Sequence, residues 1–311
     1  MTKRLKLYTI LLIAALLASC DRNNEFTAPS FLHIDAINVG PAQMNDIANG
    51  DRNFYTSNIV ACFIVAHYPG EMSVDTIGVY RLPSTVPLLH DGDVDYIEIS
   101  PAVMVSGVSG MLSFYTYYNR LYIRDTVLHS GDTLNLGTMT TQYNTLTDAP
   151  LLFEPFESTQ GGVATDTVVE WVKQDREGAC TGDGYGRVHV NADQATVNFK
   201  ISNPAENSDH FIFPDITNLY YLELDIKSDV EVRVWMHAAY TEGGNEDQLP
   251  VMNMLPTDGE WRHFYINLGR TWKEFNRTSE VNISFSALNL DGIEGDVLID
   301  NIKLLSTSVT L

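Results

Sequence analysis

Between residues 31 and 307 apolar side chains recur at every second position over runs of four to eight, and Gly, Pro, Asn and Asp separate the runs. The first half gives TIGVYRLP, VDYIEIS, MLSFYTYY, RLYIRDTVL and DTLNLGTM. The second gives TVVEWVKQ, GRVHVNA, ATVNFKIS, YYLELDIKS, VEVRVWMHA, WRHFYINL, VNISFSAL and VLIDNIKLL. Helical periodicity is nearly absent. Short strands at regular spacing, with turn signals between them, predict an all-β chain of β-sandwiches. The stretch around residues 142–150, QYNTLTDAP, is polar, lacks alternation and ends on proline. It is read as a linker over 143–150, between a sandwich over 31–142 and a second over 151–307. In the first, Pro83 and Pro87 cannot donate to a central ladder, so their segment must be an edge or a crossing between sheets.

Strand phase sorts the side chains. Val230, Val232, Val234 and Met236 form one apolar set, which places Trp235 on the other face with Glu231, Arg233 and His237. Phe264, Ile266 and Leu268 face a core, so Trp261, His263 and Tyr265 face away. Arg187, His189, Asn198 and Lys200 also point outward. Trp235, Arg233, His237, Trp261 and Tyr265 are the candidate ligand-binding residues. An outward indole among polar groups suits a pyranose, and it also suits a protein hot spot, where Trp, Tyr and Arg are enriched. A second core covered by loops or by the first module would use the same residues. In the last run, phase puts Asp300 with Leu298, Ile302 and Leu304. A carboxylate on an apolar side must be paired, hydrogen-bonded or bound to a metal.

Charge narrows the function. The formal net charge is −21, and a basic patch that could offset it is nowhere seen, so nucleic acid is excluded as a partner. Residues 1–19 carry Lys3, Arg4 and Lys6 ahead of an apolar run from Leu7 to Leu17, too short to span a bilayer and of the form of a secretory signal. Its removal takes the charge to −24. The run ends in Leu17-Ala18-Ser19-Cys20, which resembles the lipobox of bacterial lipoproteins. That resemblance implies cleavage before Cys20, a lipid on its thiol and a lipidated tether over 20–30. Cys62 and Cys180 fall in different modules and are read as unpaired thiols.

The first module resembles carboxypeptidase-regulatory and immunoglobulin-like sandwiches. More closely, it is similar to uncharacterised lipoproteins of Bacteroidota, through Leu82, Pro83, Pro87, Pro101, Gly107 and the tyrosines at 115, 117 and 118. Ser106 departs from the Asn expected there. The second module resembles galactose-binding-like jelly rolls, the fold of many carbohydrate-binding modules. The likeness rests on FEPFES, on Trp261, Phe264, Ile266 and Leu268, and on the closing VLIDNIKLL. It implies that the first and last strands are neighbours and that acids on them hold a structural calcium. Asp300 with Glu154 or Glu157 would then be the ligands. The alternative is a carboxylate satisfied by backbone N–H groups and Asn301.

Motifs for catalysis were sought. GVSGM lacks the last glycine of a nucleophile elbow, HDGDVDYIE has Tyr96 and Ala102 where a calcium loop needs Gly and Glu, and GDGYGR is no dinucleotide loop. The expectation is a non-enzyme. Thr76, Thr126, Thr133 and Thr167 each follow Asp and precede an aliphatic residue, which resembles the O-glycosylation acceptor of exported Bacteroidota proteins; a turn followed by a strand start gives the same triplet. The reading reached is a lipid-anchored outer-membrane protein, exposed at the cell surface, acting as adaptor in an outer-membrane protein complex. The alternative is glycan binding around Trp235. Cys20→Ser is expected to leave the precursor uncut and to abolish partitioning into the detergent phase, measured on membranes of the native host.

Overall fold

The computed structural model describes residues 28–40, 55–107, 111–144, 150–157, 167–204, 206–213, 218–239, 246–275 and 280–307. The signal segment, Cys20 and the middle of the linker lie outside them. The chain is nearly all β, as the alternating pattern requires. Among the described residues no helix is long and apolar enough to cross a membrane.

The first sandwich uses eight strands. Strands β1 (Ser30–Val39), β4 (Ser84–Leu88) and β8 (Thr133–Thr141) form a sheet of order β4-β1-β8. Strands β2 (Ala61–His67), β3 (Asp75–Arg81) and β5 (Gly92–Met104) form the other, in which β6 (Leu112–Phe114) and β7 (Leu121–Leu128) both pair with β5. The chain leaves β3, an edge of the second sheet, at Leu82–Pro83 and enters β4, an edge of the first. The prolines therefore sit where no ladder donor is missed. Leu32, Ile34, Cys62, Ile64, Val86, Ile97 and Ile99, all 0% exposed, fill the space between the sheets.

The second sandwich is a jelly roll. Strands β10 (Glu170–Lys173), β11 (Gly184–Val190), β14 (Leu219–Ser228), β17 (Arg262–Asn267) and β19 (Gly295–Thr307) form one sheet, ordered β10-β11-β19-β14-β17, with β9 (Leu152–Glu154) also on β19. Strands β12 (Thr196–Lys200), β15 (Glu231–Ala239), β16 (Glu246–Met254) and β18 (Glu280–Leu288) form the other, ordered β12-β18-β15-β16, with β13 (Phe211–Ile212) on β18. Helix α1 (Leu268–Trp272) follows β17. The core between the sheets holds Val232, Val234, Met236, Phe285, Ile299, Ile302 and Leu304.

One irregularity decides the face of Asp300. Along β14 and β19 the register runs Glu223↔Lys303 and then Asp225↔Asp300, so β19 has one extra residue. Asn301 takes a φ of 51° there, a left-handed conformation that Asn tolerates better than most residues. The bulge inverts the phase. Val297, Ile299, Ile302 and Leu304 face the core, while Asp300 shares the opposite face with Lys303. Asp300 does share a side with Leu298, as expected, but the expected grouping with Ile302 and Leu304 is corrected: it assumed an unbroken period of two.

That opposite face is covered by the first module. Glu223 and Lys303, both side chains 0% exposed, lie 3.0 Å apart. Tyr115 of the first module and Tyr143, just beyond its last strand, donate their hydroxyls to the two oxygens of Glu223, Tyr143 at 2.7 Å. Lys303 also donates to the Tyr143 hydroxyl at 3.1 Å and to the Thr56 carbonyl at 3.4 Å. Tyr118 meets the Tyr265 hydroxyl at 3.0 Å, and Tyr117 donates to the Leu219 carbonyl at 2.7 Å. Backbone joins in: the Ser106 N–H donates to the Tyr265 carbonyl at 2.8 Å. At Gly107, where the first module meets Met252 and Phe264, the φ is 67°, a left-handed conformation that favours glycine.

Burial alone would raise the Glu223 carboxyl, but Lys303, His263 and Tyr115 outweigh it and carry it down to about 2. Removing one member of a buried ion pair leaves an uncompensated charge, at a cost of about 3–5 kcal/mol. Lys303→Met is expected to destabilise by that amount, and the double variant Glu223→Gln/Lys303→Met by less than the sum of the singles, measured by urea unfolding. A depressed carboxyl contributes stability above its ordinary 4.5 that is lost as pH falls toward about 2. The stability gap between wild type and Glu223→Gln should accordingly close over that window, and a gap independent of pH would contradict the ion pair.

Candidate functional site

The predicted ligand residues divide between the two sheets of the jelly roll. Trp235, Arg233 and His237 lie on the outer face of the β12-β18-β15-β16 sheet, where β15 alternates buried and half-buried residues from Glu231 to Ala238. Trp261 and Tyr265 belong to the other sheet, whose outer face points the opposite way. Tyr265 is 2% exposed under the first module. Trp261 is half-buried, donates to the Gly178 carbonyl at 3.2 Å and meets the Tyr185 ring edge-on. Neither can join Trp235 in one platform. Strand phase gave the direction of both side chains correctly, but it could not show that something lies over them.

Around Trp235 the cross-strand rows are polar. Register places Lys200, Ser284, Trp235 and Pro250 in one row, and Asn198, Ser286, Arg233 and Asn253 in the next. Asn282, His237 and Gln248 form a third. The indole N–H donates to Ser286 Oγ at 3.0 Å, and Ser286 in turn donates to Asn198 Oδ1 at 2.7 Å. Arg233 Nε donates to Asn253 Oδ1 at 2.8 Å while its guanidinium flanks the indole, 5.5 Å from the ring centroid. His237 Nε2 lies 2.7 Å from Ser284 Oγ. The indole is half-buried, and its bond to Ser286 holds it in place on the sheet.

The face continues over the edge strand β16. Pro250 and Asn253, which border Trp235 and Arg233, also line a groove of about 790 Å³ between the modules. Val251, Tyr221, Asn267, Arg270 and Glu274 line it from the jelly roll, and Ser106 and Ser113 from the first module. A cleft of this size at a module boundary is where small ligands are usually held.

The acidic candidates are not brought together. Asp300 Oδ2 accepts the N–H groups of Cys180 at 3.2 Å and Thr181 at 3.3 Å, and Oδ1 accepts that of Asn301 at 2.8 Å. Glu154 accepts the Phe156 N–H at 2.8 Å, and Glu157 accepts that of Asp183 at 3.3 Å. Among the described residues no group of three or more His, Cys, Asp or Glu side chains could hold a metal ion. β9 lies beside β19, as expected, and Asp300, Glu154 and Glu157 each accept from backbone N–H groups there. Burial, with the Asp225 charge beside it, outweighs those donors and pushes the Asp300 carboxyl up to about 9.

Cys62 and Cys180 are free thiols. Burial pushes Cys62 up to about 12 and raises Cys180 as well, with Asp225 and Asp300 adding to it, so neither is a ready nucleophile. Thr76, Thr133 and Thr167 are exposed and Thr126 is half-buried. The residues that sequence reasoning missed are Glu223, Asp225, His263 and Lys303. An acid-x-acid pair in YYLELDIKS and a lysine in VLIDNIKLL, each on an otherwise apolar strand, were the available signal.

No family model matches the chain, and no curated protein matches it. Solved structures match about half of it. A family 61 carbohydrate-binding module, solved with β-1,4-galactotriose, is 18% identical over 50% of this chain and 98% of that one, with a TM-score of 0.31. The CBM22-1 xylan-binding domain of Xyn10C from Paenibacillus barcinonensis is 12% identical over 52% and 97%, with a TM-score of 0.35. The family 30 carbohydrate-binding module of a cellulosomal cellulase from Clostridium thermocellum is 19% identical over 53% and 95%, also at 0.35. Identities and TM-scores this low carry no ligand chemistry over to the present chain.

Asp300→Ala strands three backbone donors and is expected to cost about 2–4 kcal/mol, at 1–3 for each unsatisfied group that stays buried. Chelation of divalent cations should leave the melting temperature of the wild type unchanged. A chelator-sensitive melting curve, restored by calcium, would reinstate a cation at this strand pair.

Proposed function

We propose that this protein captures glycans through the Trp235 face of its second module. The observation that carries the reading is the setting of the indole: it is ringed by hydroxyl, amide and ionic side chains already held by hydrogen bonds. A pyranose offers the matching chemistry, an apolar C–H face for the ring and hydroxyls for the groups around it. A protein hot spot draws on large apolar anchors inside a water-excluding rim, and Trp235 has serines and asparagines where such anchors would stand. This favours the glycan over the adaptor role. Lipid anchoring through Cys20, location in the outer membrane and display at the cell surface belong to the same proposal, and they rest on the signal segment and its lipobox-like end. Glycans on Thr76, Thr126, Thr133 or Thr167 stay a proposal of the same standing.

Trp235→Ala is expected to weaken glycan binding by about tenfold or more while moving the melting temperature little, since the side chain is half-exposed and fills no core. A glycan array followed by titration calorimetry of wild type and variant measures both. An array on which nothing binds, together with stoichiometric recovery of an outer-membrane protein that Trp235→Ala leaves unchanged, would return the adaptor reading.

A further inference from the structure

The first module has an aromatic face of its own. In the sheet of β2, β3, β5, β6 and β7, Cys62, Ile64 and Ala66 point into the core, so Phe63, Val65 and His67 point out. Register carries that side across the sheet: Val79, Phe63 and Ser100 form one row, Val65, Glu98 and Tyr122 another, and His67, Tyr96 and Arg124 a third. Phe114 stacks on Phe63 at 3.7 Å between centroids, and His67 lies parallel to Tyr96 at 5.2 Å. Phe114 is 51% exposed and Tyr122 42%. A soluble sheet face seldom displays rings so densely without a use for them.

The charge on this face is the reverse of the chain's. Among the described residues of the first module the Lys and Arg residues are Arg81, Arg120 and Arg124, and all three stand on it. Arg81 pairs across β3 and β2 with Ala61, in the row that ends at Phe114. Arg120 donates to Glu98 Oε1 at 2.9 Å, and Tyr122 donates to Oε2 at 3.1 Å, so Glu98 is already compensated. Arg124 lies over the rings of Tyr122 at 4.9 Å and Tyr96 at 5.8 Å, and it forms no salt bridge among the described residues. Asp95 also reaches the face, 2.9 Å from His67, so the three arginines stand against two acids there, a local positive excess in a chain of formal charge −21.

Beside the rings runs a groove of about 700 Å³, which Phe114, Tyr122 and Arg120 share with the face. Its other wall carries Thr116, Asn119, Gln142 and Asn144, neutral donors and acceptors in both senses. Flat rings ask for an apolar ligand face. Amides and hydroxyls ask for a ligand rich in hydroxyls. A guanidinium stacked on aromatics and open on its rim asks for a carboxylate.

We propose that this face is a second ligand site, and that it takes an acidic saccharide, a chain bearing uronate carboxylates. The pyranose rings lie on Phe114 and Tyr122, the hydroxyls meet the amides of the groove, and the carboxylate pairs with Arg124. This inference stands apart from the Trp235 reading, because it uses another module and another charge. Titration of the full chain in detergent with hexamers of galacturonate, glucuronate and mannuronate tests it. At least one is expected to bind, about tenfold more tightly than its carboxyl-reduced counterpart. Arg124→Ala and Tyr122→Ala should each weaken it by about tenfold with melting temperatures held within a few degrees, and Trp235→Ala should leave it unchanged. Failure of all three hexamers to bind, binding unaffected by Arg124→Ala, or poly-glutamate binding as tightly as the uronate would overturn the proposal.

Discussion

A carboxylate and an ammonium, both withdrawn from water, hold this molecule together. Glu223 and Lys303 face each other across adjacent strands of one jelly-roll sheet, and neither would be tolerable there alone. The first module makes the burial possible. Its Tyr115, with Tyr143 just beyond its last strand, supplies the hydroxyls that complete the Glu223 shell, and the tyrosines at 117 and 118 tie the surrounding backbone and Tyr265. A pair of this kind is poor evidence for net stability, because well-packed apolar residues can do as well. What it contributes is uniqueness: the tyrosines fit the jelly roll in one placement only, since any slip strands a charge. His263 extends the same logic. Burial by itself would lower its imidazole, but Asp225 and Glu223 outweigh burial and raise it.

This packing decides which surfaces remain for ligands. One sheet of the jelly roll spends its outer face on the first module and on the loop carrying Cys180 and Thr181. The opposite sheet leaves Trp235 half-buried on its outer face. In the first module, the strand end that carries Tyr115 to Tyr118 is consumed by the contact, while Phe114 and Tyr122, a few residues to either side, stay exposed. Two faces built from the same ingredients, rings with arginine and amides, therefore end up on separate modules joined by a buried polar contact. Where two sites are fixed relative to each other, binding at one raises the effective concentration at the other only if the ligand spans the geometry the protein sets.

Much of this was legible along the chain. Alternation with a period of two marks which residues of a strand share a side, because successive side chains must point to opposite faces. It gave the all-β class, the outward set Arg233, Trp235 and His237, and the edge position of the proline segment. Asp300 was misplaced because a bulge is a single left-handed residue, Asn301, and period counting has no means to see it. Strand adjacency brings Glu154 near the last strand, as expected, but the direction of a carboxylate depends on which backbone donors happen to lie within reach.

What the sequence determined by itself was therefore the side of each strand, set by local sterics and read by counting. What only the tertiary structure decided was whether a side faces water. Tyr265 and Trp235 carry the same local signature, an aromatic at an outward position among polar neighbours. One is buried under Tyr115 and Tyr118, more than a hundred residues away in sequence, and the other is only half-buried. The burial of a surface is a property of what packs against it, and nothing within the strand itself encodes that.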